Sequence, residues 1–245
     1  MLKAGYYITL LGEDKDIDQC KLVANSVAEI IKYDGLWYLS NDKIRKSENQ
    51  NDALKNGMDL LDSIRGLWTL YEGGHLAVIA NGVVTIKGTD DNSQICKDID
   101  FQFEVTKELS ETEKTTMKEI LCLAVNNPCI QEVLFYLRNG VPNNYDGHKI
   151  TEIIEDEFKE ANCDMNNKID EKSSAHSIFG GNKIWNNLRM NYNCKELQGT
   201  DARHARENNN SQFHEAMSKE ELWGALQNGI KNWLEHKRND NTNGS

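Results

Sequence analysis

At Ser110 the spacing of apolar residues changes from the alternation expected of strands to the step of about 3.6 expected of helices, and it stays there. That switch places a boundary in the chain. It predicts an α+β protein: a small N-terminal β-sheet with one covering helix, then an all-helical C-terminal region. The divisions read from it are an N-terminal domain over 1–108, a helical domain over 109–238 and a disordered tail over 239–245.

Before the switch, residues 6–11 (YYITLL) are β-rich and form the first strand. A second apolar run over 22–31 leads into Asp34-Gly35 and then Leu36-Trp37-Tyr38-Leu39. Aspartate and glycine tolerate the positive φ of a primed turn, so both flanks are read as strands of a hairpin. Leu54, Met58, Leu61, Ile64 and Trp68 share one face of a helix that packs on the sheet. Gly73-Gly74 ends it, and the runs on either side of Asn81-Gly82 read as a second hairpin. Residues 99–105 supply one more strand.

After the switch the helix signals are stronger. Ser110 and Glu113 form a capping box, followed by Met117, Ile120, Leu121 and Ala124 on one face. Asn127-Pro128 starts the next helix, with Ile130, Val133, Leu134 and Leu137 inward and a stop at Asn139-Gly140. A further helix over 146–160 turns Ile150, Ile153, Ile154 and Phe158 inward, and the polar segment after Ala161 reads as a connection. Ser218 and Glu221 repeat the capping box, flanked by Met217 and Leu222 as a hydrophobic staple. Leu222, Ala225, Leu226, Ile230, Trp233 and Leu234 then mark one buried face of a closing helix that reaches Lys237.

A net charge of −11 over 245 residues repels polyphosphate, so any nucleic acid must bind at a local basic patch. The stretch from Lys183 to Arg206 is that patch: Lys183, Arg189, Lys195, Arg203 and Arg206 stand against only Glu196 and Asp201. No apolar run approaches the roughly 18 to 20 residues that cross a bilayer, so no membrane association is expected. The first residues do not read as a signal peptide. Six cysteines without a C-x-x-C pair fit reduced thiols in a cytoplasm.

Within the patch, Arg203, His204 and Arg206 are the candidate catalytic residues. The histidine would transfer a proton while the guanidinium groups stabilise phosphoryl charge, as in a metal-independent ribonuclease. The competing reading, which we favour, has Asp201 and the arginines as ion pairs that tie down a loop. Arg189, Asn191 and Asn187 are the candidate phosphate- or partner-binding residues on one short helix with Asn186 and Asn193. Their structural alternative is hydrogen bonding to the neighbouring connections. His148, Cys163, His176, Cys194, His204 and His214 lack any spacing that forces convergence, so no metal and no cofactor are expected. Trp37, Trp68, Trp185 and Trp233 fall on apolar faces. Trp223 lies off the main stripe.

The R-x-N helix (Arg189, Asn191), Gly199, the ARHAR run and the closing MSKEELWGAL resemble a group of bacterial proteins of about this length with no established activity. DGLWYLSND near the N-terminus, followed by a helix and a VVTI strand, is similar to that group as well. More distantly, the helical half resembles the HEPN superfamily, whose members include ribonucleases of toxin and antiviral systems. The active pattern there is an arginine, four to six residues, then a histidine. Here Arg203 touches His204, seven residues separate Arg206 from His214, and fourteen separate Arg189 from His204. The expectation is a non-catalytic interaction or regulatory protein of a bacterial cytoplasm, in stress or phage defence, with a protein partner and with RNA as a possible second ligand of the basic patch. The alternative is a HEPN-like endoribonuclease.

Overall fold

The computed structural model describes residues 3–24, 27–86, 109–163, 175–193 and 217–243. Its N-terminal part runs β1 (Gly5–Leu11), α1 (Asp14–Ala24), β2 (Glu29–Tyr33), β3 (Leu36–Ser40), α2 (Asp42–Arg45), α3 (Gln50–Glu72) and β4 (Ile79–Ile86). Among the described residues six helices follow: α4 (Glu111–Ala124), α5 (Pro128–Leu137), α6 (Asn144–Cys163), α7 (Ala175–Ile178), α8 (Asn182–Asn193) and α9 (Lys219–Asn243). The sheet is antiparallel in the order β2-β3-β1-β4. The α+β class read from the change of period is the class observed.

Positive φ at both Asp34 (49°) and Gly35 (77°) closes the β2–β3 hairpin with the primed turn that Asp-Gly specifies. The second Asn-Gly behaves differently. Residues 79–86 form one strand along β1, and the register slips between Ile8 and Leu10, where β4 carries an extra residue beside Asn81-Gly82. Gly82, at φ 137°, serves a β-bulge instead of the expected hairpin turn.

The strand expected over 22–31 is also corrected, because its first residues finish α1. Ile17, Cys20, Val23 and Ala24 are buried at helical spacing, and β2 begins only at Glu29. Trp37 on β3 ties this helix to the sheet, since its indole Nε1 donates to Asp14 Oδ1 at 2.7 Å. That bond, with the Lys32 ammonium at 3.1 Å, holds the Asp14 carboxyl below the usual carboxylate range. A depressed folded pKa contributes stability above the ordinary carboxylate pKa and loses it as the pH falls through the folded value. Trp37→Phe is expected to raise the Asp14 titration midpoint towards its ordinary value, followed by carboxyl NMR. An unmoved midpoint would show that Lys32 alone sets it.

On α3 the expected face is turned. Leu61, Ile64 and Trp68 are buried, but Met58 is 48% exposed and Ala53, Gly57 and Leu60 take the inner positions. Gly57 lets the helix approach the sheet, because a Cβ there would lie 2.2 Å from Ile8 Cγ1. Further along, Gly66 brings the same helix against α5, where a Cβ would lie 2.2 Å from the Leu134 carbonyl oxygen. α3 thus contacts both the sheet and the helices, and the buried apolar residues of both regions form one contiguous cluster. Residues 99–105, read as a strand, lie outside the described residues.

Both capping boxes form. Ser110 accepts from the Glu113 amide at 3.2 Å while the Glu113 carboxylate accepts from the Ser110 amide at 2.9 Å. At α9 the Ser218 hydroxyl accepts from Glu221 N–H at 3.2 Å and Glu221 accepts from Ser218 N–H at 2.8 Å. Met217 and Leu222, on either side of that cap, both pack into the core. α9 continues through Asn243, past the Lys237 at which the sequence reading stops it. Ser218→Ala should lower stability by about 0.5 to 2 kcal/mol. An unchanged denaturation midpoint would place the start of the helix elsewhere.

Candidate functional site

α8 carries the part of the basic patch that the structure describes. Trp185, Leu188 and Tyr192 recur at helical spacing and are buried, which fixes the rotation of the helix and decides where its polar residues point. Tyr192 packs on Gly147 of α6, where a Cβ would meet its ring at 2.4 Å. Burial raises its phenol pKa.

With that rotation set, Arg189 lies beside α6, its Nη1 3.1 Å from Glu155 Oε2 and its guanidinium carbon 5.7 Å from the centre of the Trp185 ring. Asn191 is fully buried. Its Nδ2 donates to the Asn187 carbonyl at 2.9 Å, one turn back, and its Oδ1 accepts from the Met217 amide at 2.8 Å. Met217 immediately precedes the Ser218 cap. One asparagine therefore joins the last turn of α8 to the first turn of α9. Asn187 is half-buried, and Asn186 and Lys183 are exposed. Trp185 Nε1 is buried and has no hydrogen-bond partner among the described residues. Arg203, His204 and Arg206 lie outside the described residues, as do Asp201, Lys195 and His214.

Around α8 several other ionisable groups are paired, within α6 and between α6 and α9. His148 is buried on α6 with its Nε2 2.8 Å from Glu152 Oε1. Trp233 Nε1 donates to Glu157 at 2.8 Å, and Lys237 meets the same carboxylate at 2.8 Å. Among the described residues no group of three or more His, Cys, Asp and Glu side chains is placed to hold a metal ion, and no helix is long and apolar enough to cross a membrane.

No known protein family, curated protein or solved structure matches this chain.

The structure also brings together residues that sequence reading left apart. At the open end of the β2–β3 ladder, α2 faces the C-terminal end of α4 across a groove of about 700 Å³. Ala28 and Ser40, both buried, belong to its sheet side, and Cys122, Val125 and Asn126 form the α4 side. Arg45, whose side chain is only 9% exposed, bonds Glu29 at 3.1 Å and Asp42 at 2.5 Å. Its hydrogen bond holds the Asp42 carboxyl below the usual carboxylate range. Lys43 Nζ approaches the Val125 carbonyl at 3.5 Å, where a cation meets the negative end of α4. Those two residues are 82 apart in the chain, and no local pattern announces their meeting. Cys122 is exposed there, whereas burial pushes the Cys20 thiol up to about 12 and leaves it inert.

Proposed function

We propose that this chain is a non-catalytic interaction or regulatory protein of a bacterial cytoplasm, working through a protein partner in a stress or phage-defence setting. The setting follows from the HEPN resemblance. The absence of an arginine at HEPN spacing from His204 supports the non-catalytic reading.

The observation that carries the proposal is the use made of Asn191. An asparagine available to a phosphate or a base edge presents its amide to solvent. This one is buried, and it divides its amide between the Asn187 carbonyl and the Met217 N–H. Arg189 is likewise engaged by Glu155 and lies near the Trp185 ring. Two of the three side chains that read as a binding surface, Arg189 and Asn191, thus fasten α6, α8 and α9 together.

Arg189→Ala tests this reading with two measurements on one variant. Thermal stability should fall modestly, by about 1 kcal/mol or less, because the pair is partly exposed. Affinity for a single-stranded RNA, measured by fluorescence anisotropy at fixed salt, should not change. A tenfold or greater loss of RNA affinity at unchanged stability, about 1.4 kcal/mol of binding, would favour the endoribonuclease instead.

A further inference from the structure

We infer that the groove between α2 and the C-terminal end of α4 binds a small zwitterion of the amino-acid or short-peptide class. Its volume of about 700 Å³ lies within the range of small-molecule sites, roughly 300 to 1,000 Å³. Small side chains, Ala28 and Ser40, lie on its sheet side, so ligand atoms can come close to the ladder.

Charge selects the class. The charged lining residues are Glu29, Asp42, Lys43 and Arg45, two of each sign, so the groove has no net charge inside a chain of −11. An anion is repelled by the chain as a whole and gains nothing overall from the lining. A neutral ligand with separated charges matches both signs at once.

The two signs are not equally committed. Arg45 is nearly buried and bonded to both acids, which leaves it little capacity for a ligand. Glu29, whose other oxygen lies 3.8 Å from Lys3 Nζ, and Asp42 keep 46% and 75% of their side chains exposed, so their remaining lone pairs, those of Asp42 above all, can accept from an ammonium group. Among the described residues the Lys43 ammonium forms no ion pair, and its one hydrogen bond, to the Val125 carbonyl, lies at the limiting distance of 3.5 Å. A ligand carboxylate offers that ammonium a stronger, charge-assisted partner. Binding would then draw Lys43 away from the end of α4, so that occupancy of the groove is felt where α2 and α4 meet.

Trialanine is the probe, titrated calorimetrically into the full chain beside N-acetyl-trialanine and trialanine amide, each of which removes one charge. Free trialanine should bind, and each capped form should bind about tenfold more weakly or worse, as expected for losing one charge-assisted contact. Lys43→Met should bring trialanine down to the affinity of its amide, and Lys43→Arg should restore it. Peptide-resolved alkylation locates the site: bound trialanine slows the labelling of Cys122. The inference is overturned by no binding at millimolar trialanine, by capped forms that bind equally well, by indifference to Lys43→Met, or by Cys122 labelling that bound peptide leaves unchanged.

Discussion

Trp233→Ala should destabilise the protein by about 3 to 5 kcal/mol in a urea titration, the range for deleting a large buried aromatic side chain. Trp233 is fully buried on the inner face of α9 with Leu226, Ile230 and Leu234, and its indole bonds Glu157 of α6 at 2.8 Å. Truncation therefore removes apolar contacts and a link between two helices together. Trp233→Phe separates the two contributions. It keeps most of the volume, and Glu157 retains Lys237 at 2.8 Å, so the loss should shrink to about 1 to 2 kcal/mol. A loss below about 1 kcal/mol for the alanine variant would mean that α9 does not close the core.

Gly66→Val should be comparably damaging, at about 3 kcal/mol or more, because the obstruction is backbone and cannot rotate away. A Cβ at Gly66 would stand 2.2 Å from the Leu134 carbonyl oxygen and 2.8 Å from its carbonyl carbon, forcing α3 and α5 apart. Gly224 supplies the control of opposite sign. It lies within α9 with nothing among the described residues within 4 Å of its missing Cβ, so Gly224→Ala should stabilise by about 0.5 to 1 kcal/mol through helix propensity alone. Two glycine substitutions with opposite outcomes in the same denaturation assay would separate packing from propensity. Equal effects would contradict the close approach of α3 and α5.

The helical region was the more legible in sequence because its signals are local. A serine and a glutamate three residues apart specify a cap whatever surrounds them, and both boxes form at the expected residues. The sheet was harder to read. Asn81-Gly82 carries the dipeptide of a primed turn, but pairing with β1 continues past it and converts it to a bulge. α1 was missed because its apolar residues are few, Ile17, Cys20, Val23 and Ala24, set among the charges of DKDIDQCK. On α3, Met58 is exposed and Gly57 faces inward, where the helix comes into close contact with Ile8.

The candidate sites divide in the same way. Sequence spacing identified Arg189 and Asn191 as notable, but their partners, Glu155 and Met217, come from other helices and only the fold shows that both are engaged. The groove had no sequence signal at all. Lys43 and Val125 meet because α3 packs against both the sheet and the helices, not because of anything in their neighbourhoods.

Incubation of the purified chain with RNA in EDTA tests the non-catalytic reading most directly, since the proton transfer open to His204 needs no metal. No cleavage by the wild-type protein is expected, and in His204→Ala no change other than in stability. Metal-independent cleavage by the wild type that vanishes in a stably folded His204→Ala variant would contradict it and establish the endoribonuclease.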